Sequence, residues 1–187
     1  AIADQQGYPR VTTRANRLVY ATMTGTDIAL YRLDQTYAQL SAKGAKVFRL
    51  TSTPMRAGDP LTLMHASGRS ACRAEAVVDR LREGGYEMTD SIRYTTSPDC
   101  APSHGQSGSP LLATDGVTVV GVHNTHNTAG AMCTDDNPCE VGPDGTTTAV
   151  QGRAYGQQVN LITACLGHGT RLDPHRPGCT LTLARQR

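Results

Sequence analysis

A chain of 187 residues with a formal net charge of +2 at pH 7 has the length of a single domain or of a two-lobed β structure. Its charge is nearly balanced and its Lys and Arg residues form no basic stretch, which excludes the electrostatic footprint of a nucleic-acid-binding protein. Its uninterrupted apolar runs are too short to cross a bilayer, which excludes a membrane-spanning helix as a predicted element.

The first predicted elements are two strands joined by a short turn. Residues 18–23 and 27–33 are rich in aliphatic, β-branched and aromatic side chains, and the Thr-Gly-Thr segment between them suits a turn. We expect a connecting segment over residues 35–43, followed by strands over residues 46–50 and 61–65.

The segment over residues 72–82 has the local pattern of a helix. Ala74, Val77, Val78 and Leu81 recur at helical spacing, and a pair of glycines after the segment would end such a helix. The periodicity alone therefore favours a helix at this place in the chain.

Six cysteines occur between residues 72 and 179, and their even number suits disulfides formed in an oxidising compartment. They form no C-x2-C pair of the kind that zinc sites favour, so disulfides are the better prediction than metal thiolates. Several pairings can be written for six cysteines and stay open. The compact intervals favour Cys133–Cys139 and Cys165–Cys179, which leaves Cys72–Cys100.

The most informative motif is Gly-Gln-Ser-Gly-Ser-Pro at residues 105–110. A serine between two glycines has little steric cover, so its hydroxyl can reach an approaching carbonyl. Glycines also adopt positive φ and bring backbone N–H groups close to a ligand, as an oxyanion hole requires. The motif therefore indicates a nucleophilic serine at position 107.

The pattern after this motif predicts a β-hairpin and then a long loop. Strands over residues 111–114 and 117–123 flank an Asp-Gly pair, which suits a type I′ turn. Residues 124–146 are rich in Asn, Asp, Gly, Pro and Thr and predict a loop held by disulfides, and residues 147–162 predict one more strand.

The acidic part of this loop is a candidate site for a calcium or zinc ion. Asp135, Asp136 and Asn137, together with Asp144, offer oxygen ligands, but their spacing lacks the glycine that an EF-hand loop requires. The sequence therefore predicts no metal site, and we expect no cofactor.

Two motifs together resemble the trypsin-like (chymotrypsin-fold) serine peptidases. Asp27 opens the run Asp-Ile-Ala-Leu-Tyr-Arg-Leu, which is similar to the D-I-A-L-x-R-L strand of that family, and residues 105–110 are similar to its G-D-S-G-G-P motif. The aspartate precedes the serine by 80 positions, in the order of the family's catalytic residues. The version in this chain looks closer to the bacterial secreted branch that includes the glutamyl endopeptidases.

The resemblance implies an all-β fold, the chymotrypsin-like double β-barrel. On this reading residues 1–40 form the last strands of the N-terminal barrel and the linker between the barrels. Residues 41–187 form a complete C-terminal barrel with disulfide-stapled loops. The resemblance also calls for a strand over residues 72–82, and we predict a strand there against the local pattern.

The resemblance further implies a set of catalytic residues. Ser107 would be the nucleophile, and Asp27 would orient the histidine that accepts the serine proton. The backbone N–H groups of Gly105 and Ser107 would form the oxyanion hole. The neighbouring Gln106 stands where trypsin has an aspartate, so activation through an ion pair at that position is not expected.

The resemblance also implies substrate-binding residues. His123 lies in Gly-Val-His, which is similar to the Gly-Ile-His of glutamyl endopeptidases, where the histidine faces a substrate carboxylate. Asn124 follows it in the same substrate-binding segment, and His104 would lie at the rim of the pocket. Residues 101–103 offer no acid for a pocket floor, which argues against a preference for Lys or Arg.

The catalytic histidine of the family is expected before the aspartate, yet the first histidine of this sequence is His65. We therefore expect an N-terminal segment of the same protein to carry the base, and the 187-residue chain alone to be inactive. The predicted function is that of a secreted serine endopeptidase acting on peptide or protein substrates. The alternative is a catalytically inactive binding module with a protease fold.

Overall fold

The computed structural model describes residues 2–3, 8–66, 68–94, 97–167 and 171–181. Among these residues, none of the helices is long and apolar enough to cross a membrane. The elements in chain order are β1 (Ile2–Ala3), β2 (Pro9–Val11), β3 (Ala15–Thr22), β4 (Ile28–Leu33), α1 (Tyr37–Ala42), β5 (Arg49–Leu50), β6 (Pro60–His65), β7 (Gly68–Glu83), β8 (Tyr86–Tyr94), β9 (Pro110–Leu112), β10 (Thr118–His126), β11 (Cys139–Val141), β12 (Thr147–Thr148), β13 (Ala154–Gln158) and α2 (Asn160–Ala164). The fold is all-β, as predicted.

Six strands of the large sheet close into a barrel. The antiparallel path runs β7, β6, β9, β10, β13, β8, and β8 pairs again with β7, which closes the circle. The interior is filled by apolar side chains from these strands, among them Leu63, Ile92, Leu111 and Ala154, each with no more than a trace of exposed surface. Because the sheet closes on itself, each of these six strands is paired with a neighbour on both sides.

The first part of the chain forms a separate antiparallel ribbon. Strands β3 and β4 pair from Ala15 with Leu33 to Thr22 with Ile28, which confirms the two strands predicted there. Large apolar side chains of this ribbon are exposed, among them Leu18, Met23 and Tyr31. The ribbon turns at residues 23–27, and this turn lies against the barrel.

Residues 72–82 lie within strand β7, so the strand prediction is confirmed and the helical pattern is misleading. A β-bulge between Ala74 and Ala76 shifts the pairing with β8 by one residue. Alternation of buried and exposed residues therefore changes phase along the strand. Val78 and Leu81 pair with β8 without a register shift between them, so they lie on opposite faces of the strand, yet both are buried. The helix-like spacing therefore arises because both faces of β7 are covered here.

The predicted hairpin between β9 and β10 is present, but the predicted type I′ turn is wrong. Such a turn needs positive φ at both central residues, whereas here Gly116 has φ +70° and Asp115 is not in the positive-φ region. The Asp115 carboxylate instead accepts hydrogen bonds from the backbone N–H groups of Val117 and Thr118, at 3.0 and 2.8 Å. A side-chain cap thus replaces the two-residue turn.

Three other predicted segments differ in detail. The expected strand over residues 46–50 is reduced to β5, and the connecting segment over residues 35–43 contains the short helix α1. That helix begins with a capping box, in which Thr36 and Gln39 exchange hydrogen bonds. The single strand expected over residues 147–162 is divided into β12, β13 and α2.

All six cysteines form disulfides, in the pairing that the sequence intervals between them predicted. The disulfides are Cys72–Cys100, Cys133–Cys139 and Cys165–Cys179. The first anchors the segment that leads into residues 105–110, and the second closes the loop that follows β10. Disulfides therefore restrain the two irregular segments nearest to the predicted nucleophile.

A glycine inside the barrel wall gives a test of this packing. A Cβ atom at Gly156 would lie 2.6 Å from Leu111 Cδ1 and 2.8 Å from the Val122 carbonyl oxygen. Gly156→Ala should therefore lower the free energy of unfolding by about 1–3 kcal/mol, the usual cost of overpacking a core. Denaturant unfolding measures this change. Gly85→Ala is the control, because a Cβ there meets nothing within 4 Å, and an equal loss in both variants would contradict the packing described.

Candidate active site

Ser107 lies at the tip of a tight loop between β8 and β9. Gly105 and Gly108 flank it in the positive-φ region, at +85° and +89°. Gln106 stabilises the loop from within, since its backbone N–H donates to the Ser103 carbonyl and its side-chain oxygen accepts from the Ser103 N–H at 3.1 Å. The Ser107 side chain is exposed as a result, as the glycine-flanked motif predicted.

The loop is fastened to strand β10 on both sides of the serine. The Gly108 N–H donates to the His123 carbonyl, and the His123 N–H donates to the Ser109 carbonyl, both at 2.8 Å. These bonds hold Ser107 beside the next residue of β10, Asn124.

Asp27 is held in place by the barrel, although it belongs to the ribbon. Gly25 exchanges backbone hydrogen bonds with Glu87 and Thr89 of β8, each at 2.9 Å. The Asp27 N–H donates to the side-chain oxygen of Gln157, a fully buried residue of β13. The turn that carries the aspartate is therefore docked at two points.

Asn124 connects the two predicted catalytic residues. Its backbone carbonyl accepts a hydrogen bond from Ser107 Oγ at 2.9 Å, and its side-chain Nδ2 donates to Asp27 Oδ2 at 3.3 Å. Its own Oδ1 atom is buried and accepts no hydrogen bond within the described part of the chain. One residue of β10 thus contacts both groups, which lie 80 positions apart in the sequence.

Asp27 occupies an environment that disfavours its charge. Burial raises the pKa of this carboxyl group, and the hydrogen bond from Asn124 lowers it by a smaller amount. No ion pair with Asp27 is formed by the described residues. The carboxylate therefore depends on Asn124 for its side-chain hydrogen bond.

The backbone N–H groups proposed for an oxyanion hole are available. Within the described residues, neither the Gly105 N–H nor the Ser107 N–H donates a hydrogen bond to the protein. Both belong to an exposed loop whose conformation requires glycine. Two uncommitted donors beside a serine hydroxyl are what an acyl-transfer site needs.

A pocket of about 490 Å³ opens beside the serine. Asp27, Ser107, Asn124 and His104 all line it, so four of the predicted site residues come together at one surface. Gly105 lies in the loop that carries Ser107. The serine and the aspartate that Asn124 connects therefore line the same pocket.

His123 is placed differently from the other predicted residues. It is 1% exposed and does not line this pocket. Its Nδ1 atom lies 2.8 Å from the Tyr94 hydroxyl and 3.0 Å from the Tyr155 carbonyl oxygen. Alternation along β10 explains this position, because His123 shares the interior face of the barrel with Gly121.

Among the lining residues that the sequence analysis did not assign to the pocket are Glu83, His126, Asp135 and Asp136. His126 could have been found from alternation, since it follows Asn124 by two positions on the same strand. The acids come from the tip of the β7–β8 hairpin and from the loop after β10, and no local signal links these segments. They do not form a metal site, since the described residues include no cluster of three or more His, Cys, Asp or Glu able to hold a metal ion.

Comparison with known proteins gives two matches. Residues 2–122 match the family model described as a trypsin-like peptidase domain. Among solved structures, the chain is similar to the MamO protease domain from Magnetospirillum magneticum in its apo form, with 17% identity and a TM-score of 0.49. That similarity covers 81% of this chain and 67% of the other. A comparison with curated proteins found no match.

Because His123 is buried, we predict that the protein loses stability in acid. Burial lowers the pKa of this imidazole from 6.5 to about 4. Between these values the unfolded chain binds a proton that the folded chain does not, so the free energy of unfolding falls as the pH drops through this range. A shift of this size corresponds to about 3 kcal/mol, at about 1.4 kcal/mol for each pKa unit.

His123→Gln should remove this part of the pH dependence, which denaturant unfolding at several pH values between 7 and 4 would measure. Other titrating groups keep their contribution in both proteins. His175→Gln is the matched control, because His175 is exposed to solvent. An unchanged slope in the His123 variant would show that this imidazole does not resist protonation in the folded state.

Proposed function

The chain belongs to the trypsin-like peptidase family, and from this premise we propose that it is a serine endopeptidase with Ser107 as its nucleophile. The observation that carries the proposal is the shared contact of Ser107 and Asp27 with Asn124. A serine and an aspartate of the expected order, lining one pocket, are the two members of a catalytic triad that this sequence contains.

In the proposed reaction Ser107 Oγ attacks the carbonyl carbon of a peptide bond while a base accepts its proton. The N–H groups of Gly105 and Ser107 stabilise the negative oxygen of the tetrahedral intermediate. The leaving amine takes the proton from the base, and water then hydrolyses the acyl-enzyme. Asp27 holds the base in the productive tautomer and stabilises its charged form.

The base in this proposal is a histidine from an additional segment of the same protein. Within the described residues Ser107 Oγ contacts the Asn124 carbonyl oxygen and no histidine. Such a segment would complete a first barrel around the ribbon of residues 1–40, while residues 41–187 supply the second barrel. The three disulfides favour an extracellular location for the assembled enzyme.

One observation favours the second candidate function, an inactive binding module. The Ser107 hydroxyl donates to a carbonyl oxygen at 2.9 Å, so its proton is already engaged and its oxygen is not activated. A protein in which this arrangement persisted would bind peptides without cleaving them. The two functions differ in whether Ser107 becomes reactive in the complete protein.

Ser107→Ala in the complete protein should reduce peptide hydrolysis by about 10⁴-fold or more and abolish labelling by a fluorophosphonate probe. Both changes follow from the loss of the attacking oxygen. Ser109→Ala is the control, since this neighbouring serine belongs to the same motif and has no proposed chemical role. Activity of the Ser107 variant within about tenfold of the parent would contradict the assignment. Absence of labelling in the parent would support the binding module.

Asp27→Asn should lower turnover by several orders of magnitude while leaving residual hydrolysis, because the base loses its orientation and the nucleophile stays. Steady-state kinetics on a peptide substrate would measure the change. Asp34→Asn is a suitable control, since Asp34 lies at the far end of the same ribbon and bonds to Thr13 and Arg14. Equal rates in the parent and the Asp27 variant would remove this aspartate from the catalytic residues.

A further inference from the structure

We propose that a groove at the end of the ribbon remote from Asp27 binds an acidic peptide segment through Arg17 and Arg32. The groove has a volume of about 460 Å³ and lies where strand β4 leads into helix α1. It shares no lining residue with the pocket beside Ser107. The inference therefore goes beyond the proposed function and does not depend on catalysis.

The distribution of charge along the chain is the first argument. Residues 8–50 contain seven Lys and Arg residues and two acidic residues, Asp27 and Asp34, whereas residues 51–187 contain eleven Lys and Arg residues and thirteen acidic ones. The positive charge of the protein is thus concentrated in the ribbon and the segment that follows it. A surface with an excess of one charge attracts ligands of the opposite charge.

Two arginines face each other across the ribbon without a counter-charge. Arg17 of β3 is the register partner of Arg32 of β4, and both side chains are exposed. Within the described residues neither forms an ion pair or a side-chain hydrogen bond. Like charges directly opposite one another destabilise a sheet, so a ligand carboxylate bound between the two guanidinium groups would relieve the repulsion. Guanidinium groups bind carboxylates through paired hydrogen bonds.

A β-bulge brings a further donor to the same place. The pairing steps from Ala15 with Leu33 to Arg17 with Arg32, so Asn16 is an extra residue and both it and Arg17 oppose Arg32. The Asn16 side chain lines the groove, and it forms no hydrogen bond within the described residues. Its amide therefore adds a free donor beside the cation.

The acid of the groove does not neutralise Arg32. Asp34 also lines the groove, but its Oδ1 atom accepts hydrogen bonds from Thr13 Oγ1 at 3.0 Å and from the Arg14 N–H at 3.1 Å. These bonds hold the carboxylate against the segment before β3. Arg32 thus stays unpaired although a carboxylate lies two positions away in the sequence, and it remains available to a ligand.

Apolar side chains beside the arginines indicate what kind of anion fits. Tyr37 and Val47 line the groove and are 63% and 51% exposed, and the buried Leu40 also lines it. Protein interfaces combine aromatic and aliphatic side chains with charged groups at their rim. A peptide that carries glutamates beside an aromatic or aliphatic residue matches both parts of the groove, whereas a nucleic acid or a sulfated sugar would use its charge alone.

The arginine would stay accessible in the complete enzyme proposed above. Side chains alternate along β4, so Arg32 shares a face with Leu30, which packs against the cluster that includes Ile162 of α2. Tyr31 lies on the opposite face, together with its register partner Leu18. An additional segment that covers this apolar pair leaves the face of Arg32 uncovered.

The experiment measures peptide binding by calorimetry. The probe is an acetylated peptide amide of sequence Gly-Glu-Glu-Phe-Glu-Leu-Glu-Gly, titrated into the complete protein carrying Ser107→Ala so that cleavage is prevented. A second peptide has Gln in place of every Glu, and a third has Ser in place of Phe and Leu. The glutamate peptide should bind about tenfold more tightly than the glutamine peptide, because hydrogen bonds between charged groups are stronger than neutral ones. Added salt should weaken its binding.

Arg32→Gln and Arg17→Gln should each weaken binding of the glutamate peptide several-fold and leave the glutamine peptide nearly unchanged. Each variant should also raise the midpoint of thermal unfolding slightly, because it removes the repulsion between the two arginines. An arginine with a merely structural role would lower it. Arg56→Gln is the matched control, since it removes an exposed arginine that lines neither the groove nor the pocket beside Ser107. Tyr37→Ala should weaken the glutamate and glutamine peptides alike.

A glutamate preference that falls in the Arg17 and Arg32 variants and persists in the Arg56 variant supports the proposal, whether or not the parent protein cleaves peptides. Equal binding of the glutamate and glutamine peptides overturns it. An equal loss in the Arg56 variant also overturns it, since net charge and not the groove then attracts the peptide. A heparin octasaccharide is titrated in parallel. Tighter binding of this sugar than of the glutamate peptide, lost in the Arg17 and Arg32 variants, would assign the groove to sulfated sugars and contradict the peptide assignment.

Discussion

Closure of the six-stranded barrel by β8 is the constraint on which the site depends. Because β8 pairs with both β13 and β7, the tip of the β7–β8 hairpin is held close to the end of β10. Glu83 thereby contacts Thr125, and the turn around Gly25 pairs with β8 from the other side. An open sheet would leave these three segments free to separate, and the pocket would lose its walls.

Asn124 links the two proposed catalytic groups, because it forms a hydrogen bond with each of them. Its carbonyl and its amide face different partners, so a single backbone position fixes the serine and the aspartate relative to one another. The aspartate is further restrained by the buried Gln157. The ribbon and the barrel are thus connected at the point where the proposed reaction occurs.

Much of this could be derived from the sequence because the signals were local. The glycine-flanked serine, the ribbon strands and the pairings Cys133–Cys139 and Cys165–Cys179 each depend on residues close together in the chain, and the third pairing was what these two left. The remainder depended on pairing between distant segments. Burial on both faces of β7 imitated the spacing of a helix, and the Asp115 cap replaced a turn that the Asp-Gly pair favoured.

The pocket itself was the least accessible to sequence reasoning. Glu83 and Asp135 become neighbours only when the hairpin tip meets the loop after β10, where a Cβ on Gly84 would collide with Asp135 Oδ1. His123 was assigned from a motif, whereas strand alternation alone places it on the interior face. Resemblance predicted Ser107 as the nucleophile, and the structure places this residue in an exposed loop that lines the pocket, but the resemblance carried no information about the charge around it.

The disulfide between Cys133 and Cys139 has a consequence for the maturation of the protein. It closes the short loop that presents Asp135 and Asp136, and Cys139 also pairs with Arg82 at the hairpin. The barrel strands can pair in a reducing environment, but this wall acquires its covalent restraint only after oxidation. Because Cys72–Cys100 likewise restrains the segment that leads to Ser107, oxidation of a newly made chain restrains the serine loop and this wall of the pocket alike.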